Sequence, residues 1–430
     1  LIYPCSRGLA SAKGYFTKWN SRYGSSWGGY GLDENGTPKP VFTYSLDDDG
    51  NATITGYTGN VSALVIPEEI DGHKVINIGV AAFCKKDVAL VTIPNSVKKI
   101  DNQAFESCKN LKNVEIPESV LAIGGAAFGN CVSLESVTLP SKLNSLGSSA
   151  FYNCDSLVEI EIPATITEVP GIQKYDYPWM TDGKVFEECD NLKSISFKEG
   201  ITNIPPIFNS CKSIEKIVIP DTVTSISDRT FMNCTELKDI VIPDTVIKIG
   251  GAAFGNCTSL REVNLPSRLI SLGSSAFYNC DSLTEITIPA TVREIPGVQQ
   301  YDYPYMTDGK VFEECGNLRK VSFEEGTNNI YMILNRCPSV QNINIPETVT
   351  QIDRRAFAGC TSLKSISLPD SITSMDTAIF SGCTSLSSVK LPNKYENINS
   401  STFEGCTSLT EITLPDTVTT IQDHAFKNCT

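Results

Sequence analysis

Apolar residues return along most of this chain at a fixed interval. In the stretch from Cys131 to Pro163, Cys131 and Cys154 are 23 residues apart, and so are Leu134 and Leu157, Val137 and Ile160, Leu139 and Ile162, and Pro140 and Pro163. Within each unit an apolar-x-apolar-Pro run alternates with period two and favours β-branched residues, which predicts a short, half-buried strand. The proline has no N–H to donate and ends the strand. Such runs begin at Leu64 and recur to Ile412–Pro415, fifteen in all, the proline missing only after Ile195–Phe197 and Val321–Phe323. Each unit continues with V-x-x-I, then A-F, then x-x-C. A phenylalanine stands in this place in every unit from Phe83 to Phe426, except that Leu334 takes it once. An apolar column of this regularity is core, and the A-F segment is too short for a long helix, so a helical or 3₁₀ turn is expected on the return side.

Units that recur at fixed length contact only their neighbours, so chain length sets no limit on a single core. The expected fold is an α/β repeat: a right-handed solenoid of about 15 turns, with a parallel β-sheet on the concave face and short helical, 3₁₀ or irregular return segments. A larger repeat overlies the small one. Gly124 to Cys131 recurs unchanged at Gly250 to Cys257, an offset of 126 residues, so a block of five turns is duplicated.

The departures from the period carry the individuality of the chain. Residues 1–40 are rich in glycine, serine and aromatics and show no period. They read either as a linker or cap over the first turn, or as an aromatic ligand site built from Tyr15, Trp19, Tyr23, Trp27 and Tyr30. Residues 41–63 read as a β-hairpin cap to a solenoid spanning 41–430: Phe42, Tyr44 and Leu46 alternate, Asp49-Gly50 makes the turn, and Ala52 to Tyr57 returns. Two insertions of 12 residues, near 171–183 and 297–309, stretch the cysteine step to 35. They follow V-x-x-I and precede the phenylalanine, so they leave from the return side. Tyr175, Asp176, Tyr177 and Trp179 in the first, and Tyr301, Asp302, Tyr303 and Tyr305 in the second, put aromatics beside carboxylates. That combination suits sugar stacking or a protein hot spot; equally, the rings could fold back over their own enlarged turn.

Sixteen cysteines would suggest a disulfide framework, but from Cys84 to Cys429 they fall one per unit. That spacing predicts a ladder of reduced, buried thiols, because parallel neighbours do not offer the geometry a disulfide needs. No C-x-x-C pair occurs, and no zinc site is expected. The formal net charge of −14 argues against nucleic acid and anionic lipid as partners. No apolar run is long enough to cross a membrane as a helix, so no membrane insertion is expected. The chain begins at Leu1 with no basic and apolar leader, so any targeting signal has already been removed. Only His73 and His424 exist, placed toward opposite ends of the array, which leaves no triad and no histidine metal site. Asp47-Asp48-Asp49-Gly50-Asn51 lacks the glutamate of a calcium loop and reads as a turn. No phosphate-binding glycine loop appears. Neither catalytic residues, nor a cofactor, nor a metal is expected. Asn-x-Ser/Thr triplets at Asn233, Asn256 and Asn428 fall on ladder positions and are not a sign of glycosylation.

The unit C-x-S-L-x-x-I-x-I-P-x-x-V-x-x-I-x-x-x-A-F-x-x-C resembles the BspA-type, or Treponema-type, leucine-rich repeats of bacterial surface proteins. The opening F-T-Y-S-L-D-D-D-G-N-A-T-I-T-G-Y-T-G-N and the following L-V-I-P-E-E-I-D-G-H-K-V-I-N-I-G resemble the usual start of such arrays, and the likeness covers about residues 41–430. The resemblance implies a secreted or cell-surface, non-enzymatic interaction or adhesion protein. The expected partner is a protein, such as host matrix or another bacterial surface protein, bound through the solenoid surface. A glycan bound by the insertion aromatics is the alternative, and a structural spacer displaying another domain is a third. The chain is expected to be a monomer.

Overall fold

The computed structural model describes residues 30–32, 38–166, 169–170, 184–296 and 310–429 of the chain. They fall into two compact units, residues 1–201 with 207–213 and residues 202–206 with 214–430. Each is a stack of parallel turns, a β-solenoid, with about 15 turns in the chain as a whole.

Most turns carry two strands, and like strands stack on like. In the first unit Ala63–Val65, Leu90–Thr92, Asn113–Glu115 and Ser136–Val137 form one parallel ladder, and Glu159–Ile162 pairs with Ser194–Phe197 in the same sense. Registry follows the sequence period, with Val91, Val114 and Val137 side by side. A second, narrower ladder is built by the V-x-x-I segments: His73–Ile78, Lys99–Ile100, Ala122–Ile123 and Ser145–Leu146. At its start Phe42–Leu46 pairs antiparallel with Ala52–Tyr57, which runs parallel to His73–Ile78. In the hairpin turn the Asp47 carboxylate accepts from the N–H groups of Asp49 and Asn51 (3.1 and 2.7 Å). The second unit repeats the scheme, for example in Glu285–Ile288, Lys320–Phe323 and Asn342–Asn344, and in Asn203–Ile204, Ser225–Ile226, Lys248–Ile249 and Ser271–Leu272. The fifteenth expected strand is corrected. Residues 411–414 form no strand and are half-buried or exposed, since no turn among the described residues covers them.

The core between the ladders is columnar. Phe83, Phe105, Phe128 and Phe151 are fully buried and stack at 5.0, 5.2 and 5.3 Å with nearly parallel planes. Phe231, Phe254, Phe277 and Phe312 do the same at 5.4, 5.3 and 5.5 Å. These offset pairs fall within the favourable range for aromatic stacking.

The return side is not helical. No α-helix or 3₁₀ segment occurs among the described residues, and consecutive turns take its place. In most turns two residues adopt left-handed φ, two before and two after the phenylalanine: Gln103 (60°) and Ser107 (60°) around Phe105, Ala126 (51°) and Asn130 (59°) around Phe128; the turns of Phe186, Phe208, Phe312 and Leu334 show only the second. The alternation sends successive N–H groups in different directions. Those of Gln103, Phe105 and Ser107 donate along the stack to Gly125, Ala127 and Gly129 (2.9, 2.7 and 2.7 Å). Those of Ala104, Glu106 and Cys108 close tight turns onto Asp101, Gln103 and Phe105 (3.3, 3.0 and 3.2 Å). A helix would have spent every N–H inside its own turn. This return uses half of them to join one turn to the next. Left-handed backbone strains a non-glycine residue by about 1 kcal/mol, and Gly359, Gly382 and Gly405 occupy the second such position without that strain (φ 74–75°). Turns also approach too closely for a side chain at Gly124 and Gly147, where a Cβ would lie 2.4 Å from Asn102 N and 2.3 Å from Gly125 N.

The cysteine ladder is present, with one correction. Each rung stands three residues after the phenylalanine, and its thiol donates backward to the phenylalanine carbonyl of the preceding turn: Cys131 to Phe105, Cys257 to Phe231 and Cys383 to Phe357, each at 3.2 Å. Cys84 is not a rung. It follows Phe83 directly, and Lys86 occupies the rung position, its N–H closing onto Phe83 O at 3.1 Å as the N–H of Cys108 closes onto Phe105. The ladder begins at Cys108, whose thiol reaches Phe83 O at 3.1 Å. The cysteines from Cys84 to Cys429 are all free. Burial pushes the thiols of Cys108, Cys189, Cys257, Cys360 and Cys406 up to about 12.

Candidate interaction surface

The outward positions of the wide ladder are set by strand alternation. In Glu159–Ile162 the isoleucines are buried and the glutamates exposed, and the same holds for Asn113 and Glu115, Glu285 and Thr287, and Ser365 and Ser367 about their buried neighbours. The result is a polar face of mixed charge. Adjacent turns are tied across it by exposed ion pairs, Lys198 to Glu161 (3.0 Å) and Lys320 to Glu285 (3.2 Å), each a minor contribution to stability. The apolar exceptions are Val65 at 55% and Leu90 at 41% exposed in the first unit, and in the second Val218 at 50% and Val241 at 78%, the last two lying side by side through a parallel bridge.

The insertion residues Tyr175, Asp176, Tyr177, Trp179, Tyr301, Asp302, Tyr303 and Tyr305 lie outside the described residues, as do Tyr15, Trp19, Tyr23 and Trp27. What the structure does place is where each insertion joins its turn. Before the first, Pro170 O accepts from the Ser148 N–H (2.9 Å); after it, Val185 O accepts from the Phe151 N–H (2.9 Å). Pro296 and Val311 accept from Ser274 and Phe277 at 2.8 and 3.0 Å around the second. Both ends of each insertion are thus fixed on the return side of one turn. Beside each re-entry point a tyrosine of the preceding turn donates to a glutamate, Tyr152 to Glu188 and Tyr278 to Glu314, both at 2.6 Å. The bond to the carboxylate, aided by partial burial, holds each phenol up at about 12. Neither pair was found from sequence. The signal was available, because both partners recur at the 126-residue offset.

Other polar groups are structural. Asn153 donates to Asn130 (2.8 Å), Asn256 to Asn233 (2.8 Å) and Asn279 to Asn256 (2.9 Å), so the amides of two Asn-x-Thr triplets are engaged in a ladder. His73 Nδ1 lies 2.8 Å from Gly50 O in the hairpin cap, and His424 is an exposed left-handed residue. Among the described residues no group of histidine, cysteine and carboxylate side chains could hold a metal ion, and no helix is long and apolar enough to cross a membrane.

Residues 64–172, 181–301 and 306–430 match the family model described as BspA type leucine rich repeat region, in six copies. The chain belongs to the BspA-type leucine-rich-repeat family. Among solved structures, this BspA-type chain is similar to a leucine-rich repeat protein from Bacteroides ovatus ATCC 8483, with 27% identity over 90% of this chain and 91% of that one, and a TM-score of 0.67. It is also similar to a leucine rich cell surface protein from Faecalibacterium prausnitzii A2-165, with 24% identity over 93% and 98% of the two chains and a TM-score of 0.43, too low to carry an argument. No curated protein matches it. Leucine-rich-repeat solenoids of this family are commonly interaction and surface proteins and are typically non-enzymatic.

Proposed function

We propose that this BspA-type protein is a non-enzymatic adhesion or interaction protein of the bacterial surface, secreted or attached, that binds a protein partner through the exposed face of its wide ladder. One observation carries the reading: turn after turn presents small polar and charged side chains outward from a rigidly registered parallel sheet, as in Glu159 and Glu161 or Ser365 and Ser367. Such a face offers area and charge pattern rather than a pocket, which suits a broad protein interface. Host matrix or another bacterial surface protein is the expected partner, and the protein acts as a monomer.

Glycan recognition by the insertions is the second reading. It is favoured by the anchoring of both ends of each insertion on one turn, which would present Tyr175, Asp176, Tyr177 and Trp179, and Tyr301, Asp302, Tyr303 and Tyr305, from a fixed base. A spacer role for the array is the third.

The test is binding of the full chain to panels of matrix proteins, bacterial surface proteins and glycans, with light scattering to give its mass in solution. Charge reversal at Glu159 and Glu161, or Val241→Asp, should abolish protein binding while leaving the fold intact. Loss of binding only in Trp179→Ala with Tyr305→Ala would move the site to the insertions. Silence of the unaltered chain on every panel would leave the spacer.

A further inference from the structure

A second feature departs from the repeat, at the corner between the first two turns. The interval from Phe83 to Phe105 is 22 residues, where Phe105 to Phe128 is 23, so the first turn is one residue short. Three lysines gather here: Lys85 at the left-handed position, Lys86 at the rung that cysteine fills in the later turns, and Lys109 just after the next rung. Together with Asp87, Ser107 and Asn110 they line an open hollow of about 400 Å³, within the range of small-ligand sites.

Its donors are unspent. Lys99 and Lys112 nearby pair with Asp101 and Glu135 (2.7 and 3.6 Å), but Lys85, Lys86 and Lys109 form no ion pair among the described residues. The backbone N–H groups of Asp87 and Asn110 donate to no other backbone group there. One acceptor sits among these donors. The Asp87 carboxylate takes the Asn110 amide at 2.7 Å and keeps lone pairs free.

That mixture selects a ligand. Three ammonium groups and two free N–H groups favour an anionic oxygen group, while a carboxylate in the same hollow repels a bare phosphate or sulfate. A molecule carrying one carboxylate and several hydroxyls satisfies both sides: its carboxylate meets the lysines and its hydroxyls donate to Asp87. The strongly negative chain disfavours a long polyanion, so the match is to a single acidic residue. We propose that the corner formed by Lys85, Lys86, Asp87, Lys109 and Asn110 binds an acidic sugar, a uronic or sialic acid unit of a glycan. None of its residues belongs to a strand of the wide ladder or to an insertion.

Saturation-transfer NMR on the full chain with glucuronate, N-acetylneuraminate, glucose, inorganic phosphate and inorganic sulfate tests it. Transfer to at least one acidic sugar and none to glucose is expected. Lys85→Gln with Lys109→Gln, both exposed and remote from the core, should weaken acidic-sugar binding at least tenfold with an unchanged circular dichroism spectrum and melting temperature. Asp87→Asn should weaken the sugar while strengthening phosphate. No transfer to either acidic sugar, equal transfer to glucose, or binding unaffected by the lysine changes would overturn the proposal. Phosphate or sulfate binding as tightly as the sugar to the unaltered chain would reduce the corner to a simple anion site and overturn the sugar assignment.

Discussion

Raising the pH should unfold this protein through its buried thiols. In the unit of residues 202–206 and 214–430, burial lifts Cys257, Cys360 and Cys406 to about 12 and raises Cys280, Cys337 and Cys383 well above the ordinary thiol value. An exposed thiol of the unfolded chain ionises near 8.5. The folded state therefore keeps its protons while the unfolded state gives them up. This contribution is fully present below about pH 8.5 and is lost as pH rises toward about 12. Each such group lowers stability by about 1.4 kcal/mol per pH unit once its unfolded form has ionised, so six together give a slope of about 8 kcal/mol per unit. A domain stability of about 5–15 kcal/mol is offset within about two units at that slope. Cooperative unfolding is expected between about pH 10 and 11. Circular dichroism and thiolate absorbance, followed together under reducing conditions, should change in a single transition. Cys257→Ala should lessen the slope by about 1.4 kcal/mol per unit. Thiolate absorbance that develops near pH 8.5 with the dichroism unchanged would refute the reasoning, since it would mean that the rungs ionise inside the folded turn.

Three further outcomes follow from the geometry. Phe254→Ala, which opens a gap between rings at 5.4 and 5.3 Å, should cost about 3–5 kcal/mol in urea unfolding, and Phe254→Leu less than about 1.5, because Leu334 already fills the same place elsewhere. Glu188→Gln should bring the Tyr152 phenol down from about 12 toward its ordinary value in a spectrophotometric titration, with Glu314→Gln doing the same for Tyr278. Asp47→Ala should lower the melting temperature at neutral pH. The bonds from Asn51 hold this carboxyl below its ordinary value, so its contribution is present above the ordinary carboxylate range and disappears on acidification. The two proteins should then melt together at low pH.

The strands, the phenylalanine column and the parallel registry were legible in the sequence because each is a strict period, and a period is what side-by-side stacking requires. Cys84 matches the ladder in residue type but not in position. Counting from the phenylalanine, one residue on rather than three, would have excluded it. The left-handed return was hidden for a different reason. Its special positions carry Gln103, Arg229, Glu314 and Asn233 as well as glycine, and the gain that holds them is a hydrogen bond to another turn. The lysine corner leaves no signal of its own in the sequence, since Lys85, Lys86 and Lys109 line one hollow only after the turns are stacked.

The hydrogen bonds of the return side have a consequence for how such a protein changes over generations. The turns of Phe105, Phe128, Phe231, Phe254 and Phe357 each give three N–H groups forward and receive in return the thiol of the turn ahead, so these junctions present the same set. A segment of whole turns can therefore be copied or excised by recombination with the new junction already complementary on both sides, as the 126-residue duplication attests. Length becomes a trait that selection adjusts in whole steps, independently of the side chains that meet the outside world.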